Sequence, residues 1–168
     1  CMSAAMNADN TFKVRVISKT LLTPEIARFE LSRADGSVLP AFEAGAHIDV
    51  HTPSGQTRQY SLCGNPQQAQ SYEIAVLKES AGRGGSQSMH EDVHAGDELR
   101  IGLPRNLFAL APDARRSLLL AGGIGITPLL SMAQALSQAG QDFALHYCSR
   151  SLARTAFVDH IEASAFAD

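Results

Sequence analysis

Arg58, Tyr60 and Ser61 lie almost side by side in Arg58-Gln59-Tyr60-Ser61-Leu62. A guanidinium neutralises a phosphate through a forked pair of hydrogen bonds. A tyrosine ring can lie along a flat ligand while its hydroxyl stays polar. A serine hydroxyl both donates and accepts. Read as alternating strand positions, the three are expected on one side of a sheet. A cation, a ring and a hydroxyl in a row suit a long ligand with an anionic end and a polar aromatic end. Alone, the same residues describe an ordinary exposed strand.

Two glycine-rich stretches follow. In Gly82-Arg83-Gly84-Gly85-Ser86, Gly84 and Gly85 let the backbone approach a ligand closely. Ser86 is expected to cap a helix that begins there, whose free N–H groups and dipole attract a phosphate. Arg83 adds charge. Arg58, Arg83 and one helix start together suit a terminal phosphate dianion. In Gly122-Gly123-Ile124-Gly125-Ile126-Thr127-Pro128, the glycines follow an apolar run and open a second helix. Thr127 is expected as its N-cap and Pro128 as its first residue. Gly122, Gly123 and Gly125 in a strand-to-helix turn are expected to cradle a pyrophosphate, although the pattern is not the commonest dinucleotide fingerprint. Ser149 and Arg150 end the next strand, where an adenosine ribose is read. A hydroxyl and an arginine there tolerate a 2′-phosphate.

The elements that must hold these residues are legible as alternation. Phe12, Val14 and Val16 alternate with Lys13 and Arg15. Strands are likewise expected over residues 26–31, 47–51, 58–63, 72–76 and 98–101, with turns at Asp35-Gly36 and Pro53-Ser54-Gly55. One helix, about Ser86 to Val93, interrupts them. Six short strands predict an antiparallel barrel. After Pro112-Asp113 the texture changes. Leu118-Leu119-Leu120-Ala121 reads as a buried parallel strand, followed by a helix over 127–139, a strand over 143–148 and a helix over 155–164. That order is the first βαβα of a doubly wound nucleotide-binding domain. The fold class is mixed β and α/β, with a barrel over 1–111 and the nucleotide unit over 115–168.

Bulk properties narrow the field. The chain has 168 residues, 45% of them hydrophobic, enough for a packed core. A net charge of −3 argues against a nucleic-acid binder. No run has the length of a membrane-spanning helix, and no signal pattern opens the chain, so a cytoplasmic location is expected. Cys1, Cys63 and Cys148 are an odd count, widely spaced and without a C-x-x-C pair, so neither a disulfide framework nor a zinc site is suggested. Cys63 reads as a small buried hydrophobe. His90 and His94, four apart on the expected helix, read as a solvated face rather than a metal site, and no metal is expected.

The ordered set resembles the ferredoxin-NADP reductase superfamily. More narrowly, it resembles the class IA oxygenase reductases of the phthalate dioxygenase and vanillate O-demethylase type. The likeness takes in Phe42 to Val50, Arg58 to Asn65, Arg83 to His90, Pro104-Arg105-Asn106, the glycine loop and His146 to Ser151. It implies a flavin along the first motif, with Ser61 near the reactive N5 edge as the catalytic residue. Arg58, Tyr60, Ser61, Leu62, Val76 and Lys78 are then expected to touch the flavin, with Arg83, Gly84, Gly85 and Ser86 at its phosphate. FMN is expected in preference to FAD, since no adenine-binding stretch is visible. The loop of Gly122, Gly123, Gly125 and Thr127, with Ser149 and Arg150, is expected to take NAD(P)H, and the family often uses NADH.

The resemblance implies an enzyme passing electrons from NAD(P)H through FMN to an iron–sulfur centre and a terminal oxygenase. A plant-type [2Fe-2S] domain needs C-x4-C-x2-C spacing, which the three cysteines do not supply. The cluster is therefore expected only in a C-terminal ferredoxin domain that this chain does not include. About five parallel strands make a doubly wound domain, so the nucleotide unit is expected to be incomplete and to self-associate. The alternative is a non-catalytic flavin- or nucleotide-binding module that self-associates or pairs with another chain.

Overall fold

The structure, a computed structural model, describes residues 10–67, 70–151 and 155–164. Six strands build the first unit: β1 (Thr11–Thr23), β2 (Ile26–Arg33), β3 (His47–His51), β4 (Thr57–Ser61), β5 (Tyr72–Leu77) and β6 (Glu98–Gly102). Their order is β4-β3-β6-β1-β2-β5, and every ladder is antiparallel. A bridge between Leu62 and Ile74 joins the two outer strands and closes the sheet into a barrel.

Alternation decides which side chains go inside. Phe12, Val14 and Val16 are buried on β1, while Lys13 and Arg15 are exposed. Ala27, Phe29 and Leu31, then Ile48 and Val50, then Tyr72, Ile74 and Val76, then Leu99 and Ile101 complete the interior. β1 serves two neighbours, β6 with its first half and β2 with most of its length. Irregularities in register after Val16 and after Leu21 bend it so that it can do both. The helix α1 (Gly85–Asp92) lies across the barrel and places Met89 in its core, with Val93 just beyond. Lys19 Nζ donates to the Val93 carbonyl (2.8 Å) and to that of His90, fixing the end of α1.

The second unit is a parallel pair, β7 (Arg116–Gly122) and β8 (Asp142–Cys148), linked by α2 (Ile126–Gln138). Then comes α3 (Val158–Glu162). α2 buries Leu129, Leu130, Ala133 and Leu136 against Leu119 and Ala121 of β7. The same cluster takes in Ile26, Cys63 and Ala75, which point outward from the barrel. α2 is thus the slab between barrel and parallel sheet, and Gln134 Nε2 donates to the Cys63 carbonyl across the junction.

Three expectations need correction. α3 is shorter than 155–164 because Phe157 enters it at φ 65, with its ring buried in the α2 cluster. Residue 166 lies outside the described residues. α2 begins at Ile126 with Gly125 as N-cap, after a 3-10 turn over Gly123–Gly125. Thr127 is therefore inside the helix, where its Oγ1 donates to the Ile124 carbonyl at 3.1 Å. Pro128 stays in the first turn, where a missing N–H breaks no ladder. Finally, β7 is covered on one face only: Leu119 and Ala121 are buried, but Leu118 and Leu120 are 62% and 67% exposed.

Candidate functional site

β4 pairs with β3 along its length, and the chain just past it is bridged to β5 at Leu62–Ile74. Between the two strands opens a cleft of about 350 Å³. Arg58, Gln59, Tyr60 and Ser61 line it from β4, and Ala75 and Leu77 from β5. Glu79 and Ser86 line it from the side of α1, and Ile124, Gly125, Thr127 and Pro128 come from the glycine loop.

The shared face expected of Arg58, Tyr60 and Ser61 is half right. Arg58 opposes Val50 and Tyr60 opposes Ile48, both core residues, so these two point to one side. Ser61 is the adjacent residue and points to the other. All three still reach the cleft, because an open strand edge is accessible from both faces.

Arg58 is held against the start of α1. Its Nη1 donates to the Thr57 carbonyl at 3.1 Å, and its Nη2 donates to Gln56 Oε1. Gly85 permits this approach: a Cβ there would lie 3.0 Å from Arg58 Nε and 3.1 Å from its Cγ. Gly84, the N-cap, has φ 92, and no side chain caps the helix. Ser86, expected as the cap, is instead inside α1, and its Oγ accepts the Glu79 N–H at 3.0 Å. The first N–H groups of α1 lack both a helical partner and a side-chain cap. A guanidinium and open amides converge there, as an anion requires.

Tyr60 is the second sign of a ligand. Its hydroxyl is buried without a hydrogen-bond partner among the described residues. Such an orphan costs about 1–3 kcal/mol, and a polar ligand in the cleft would satisfy it. Burial pushes its pKa up to about 12; Arg58 opposes the shift and Glu79 adds to it. The phenol is a neutral donor at ordinary pH. The residues present therefore fit a flat ligand carrying an anionic group.

A second cleft, of about 460 Å³, lies between the barrel and the parallel sheet. Thr23, Glu25 and Ile26 line it from the barrel, and Gly123, Cys148, Ser149 and Arg150 from the second unit. Leu77 and Ile124 line both clefts, so the two meet across these side chains. Gly123 faces one and Gly125 the other. Gly122 has extended backbone (φ −125) and leads into the turn between them. The Ser149 hydroxyl is engaged by its own loop, donating to the Ser151 carbonyl at 3.1 Å and bonding Thr155 Oγ1. Arg150 is exposed.

Several sequence-predicted contacts fall elsewhere. The Leu62 and Val76 side chains are fully buried in the barrel core, on the face set by alternation. Val76 contributes its carbonyl instead, which contacts His90 Nε2 at 2.7 Å. Lys78 turns to Glu91, with Nζ 3.0 Å from Oε1. Arg83 is exposed, and its carbonyl accepts from Gln56 Nε2 at 2.7 Å. His94 lies beyond the end of α1, away from His90. Among the described residues no group of three or more His, Cys, Asp or Glu is arranged to hold a metal. Sequence reasoning missed Ala75 and Leu77, whose signal was their phase opposite Ile74 and Val76. It also missed Gln56, Glu79, Thr23 and Glu25, whose types carry no signal at turns.

A closed antiparallel barrel, followed by a βαβα unit whose glycine loop faces the barrel's open edge, is the flavin- and nucleotide-binding fold of the ferredoxin-NADP reductase type. No family model matches the chain. Individual proteins do. A vanillate O-demethylase oxidoreductase of Pseudomonas putida is 58% identical over 91% of this chain and 48% of its own length. The phthalate dioxygenase reductase of Burkholderia cepacia is 44% identical over 91% of this chain and 48% of its own. A solved phthalate dioxygenase reductase, described as a modular structure for electron transfer from pyridine nucleotides to [2Fe-2S], superposes with a TM-score of 0.90. It is 43% identical, over 93% of this chain and 49% of that one. Over the aligned length this chain is similar to these oxygenase reductases, and it spans about half the length of the relatives it matches.

Proposed function

We propose that this chain carries the flavin site, and the start of the nicotinamide site, of an NAD(P)H-dependent oxygenase reductase. Residues 1–111 form the flavin unit and 115–168 the nucleotide unit. The observation that carries the reading is the meeting of the two clefts at Leu77 and Ile124, which sets the glycine loop beside the Arg58–Ser61 strand. A bound flavin supplies the chemistry, accepting a hydride and releasing electrons one at a time. Arg58 and the first amides of α1 hold a terminal phosphate, which favours FMN over FAD. Tyr60 lies along the ligand and donates its orphaned hydroxyl. Ser61, at the end of β4, is the catalytic residue and offers a hydrogen bond to the flavin's reactive edge. Gly123, Gly125 and Thr127 seat the nicotinamide cofactor's pyrophosphate, and Arg150 its ribose end. Electrons leave for a [2Fe-2S] ferredoxin domain or iron–sulfur protein and a terminal oxygenase.

The test is a fluorescence titration of the flavin-free chain with FMN and with FAD, followed by anaerobic addition of NADH or NADPH. One FMN bound, FAD no tighter, and bleaching by a reduced nicotinamide are expected. No flavin binding, or FAD preferred with its adenine buried, would contradict the reading. A second reading is favoured by the bare Leu118 and Leu120 on β7: a non-catalytic module that pairs with another chain. It predicts a yellow protein that no nicotinamide bleaches.

A further inference from the structure

Arg58 does not reach the start of α1 unaided. Gln56 lies two residues earlier, half-buried at the end of the β3–β4 turn. The turn fixes its backbone: its carbonyl accepts the Thr52 N–H at 2.8 Å and the Thr52 hydroxyl at 2.9 Å. Its side chain is left to bridge two elements. Oε1 accepts from Arg58 Nη2, and Nε2 donates to the Arg83 carbonyl at 2.7 Å. The amide has one orientation here, because a guanidinium only donates and a carbonyl only accepts. Gly85 is the floor beneath both side chains: a Cβ there would meet Gln56 Oε1 at 3.1 Å and Arg58 Nε at 3.0 Å. Gln56 is not among the residues lining the flavin cleft, whereas Arg58 is.

We propose that Gln56 is a positioning residue that presents Arg58 to the flavin phosphate, by tying its guanidinium to the loop that opens α1. The proposal rests on the reading of the cleft as a flavin-phosphate site. An arginine side chain left free samples many rotamers and loses that freedom on binding. Bridged by Gln56, it is ordered before the ligand arrives. Loss of the bridge is worth roughly two- to tenfold in affinity, the ordering of one flexible side chain. The effect is confined to ligands that carry the phosphate.

The experiment compares four chains: the parent, Gln56→Met, Arg58→Ala and the double variant. Methionine keeps the length and removes both hydrogen bonds. Each flavin-free chain is titrated with FMN and with riboflavin, which has the same ring and side chain without the phosphate. Expected is a two- to tenfold loss of FMN affinity in Gln56→Met, with riboflavin unchanged. The double variant should bind FMN no more weakly than Arg58→Ala. Unchanged FMN binding in Gln56→Met, or an equal loss for both ligands, overturns the proposal. So does a double variant weaker than Arg58→Ala by the full Gln56 effect, since Gln56 would then act independently. If Arg58→Ala is impaired for FMN and Gln56→Met is not, only the role of Gln56 falls. If Arg58→Ala keeps the parent's ratio of FMN to riboflavin affinity, the phosphate reading itself falls, and the proposal with it.

Discussion

At the scale of single residues, the site is a set of polar groups held short of satisfaction. Arg58 spends N–H groups on Thr57 and Gln56, and the proposed phosphate would take others of its five. Its replacement by alanine is expected to remove a charge-assisted contact of about 1.5–3 kcal/mol, or ten- to a hundredfold in FMN affinity. Unchanged affinity in a fluorescence titration would contradict the assignment. His90 makes a prediction about pH. Burial depresses its pKa below 6.5, against the hydrogen bond to Val76, and Lys19 and Lys78 push the same way as burial. A histidine with a depressed folded pKa favours the folded state above its unfolded value. That contribution is lost as pH falls through 6.5 toward the folded value. The parent should therefore lose more thermal stability between pH 7.5 and 5.5 than His90→Gln, which keeps a donor for the carbonyl. Equal losses would contradict it. That Arg58, Tyr60 and the glycine loop gather at one cleft was legible, because residue type alone limits what they can do. Val76 shares the core phase of Tyr72 and Ile74, so its buried side chain was readable from alternation, although a flavin contact was expected of it and of Leu62. Gln56 was not, because an amide on a turn has no pattern until its partners are folded around it.

At the scale of elements, the two units meet at a glycine. Gly45 has φ 95, and a Cβ there would lie 2.0 Å from the Phe108 carbonyl oxygen and 2.8 Å from Met132 Cε. The segment that follows β6, at Phe108, and α2, at Met132, both pass over that spot. Gly45→Ala is expected to cost about 2–3 kcal/mol in urea denaturation, from backbone strain and displaced backbone together. A variant as stable as the parent would show that the units do not pack there. Gly123 differs: its φ is 54, but a Cβ would meet nothing within 4 Å. The space it faces is the second cleft. Gly123→Val should leave FMN content intact and slow the reduction of flavin by NADH, since its side chain stands where the pyrophosphate is proposed. Loss of flavin with unimpaired nicotinamide kinetics in the remaining holoprotein would refute this. Strand and helix types were readable from period alone. Helix starts were not, because a threonine or serine beside glycine fits both a cap and a first turn. Local hydrogen bonds to Ile124 and Glu79 decided between them.

For the whole molecule, the barrel is closed and the parallel sheet is not. β7 pairs only with β8 among the described residues, and Leu118 and Leu120 lie bare on one face. An apolar face beside an unpaired edge recruits other strands. The chain is expected to self-associate with rising concentration in sedimentation, and Leu118→Lys with Leu120→Lys to suppress it. A strict monomer at all concentrations would show that the pair of strands is self-sufficient. Continuous apolar sequence predicted a strand covered on both faces; that reading holds for a full doubly wound sheet, and two strands expose one face. FMN is proposed to lie between β4, β5 and α1. Amide hydrogen exchange with and without FMN tests it most directly. Slowed exchange confined to residues 58–62, 75–79 and 84–88, with the far side of the barrel at residues 11–16 unchanged, is the expected result. Protection elsewhere, or none at the start of α1, would contradict it.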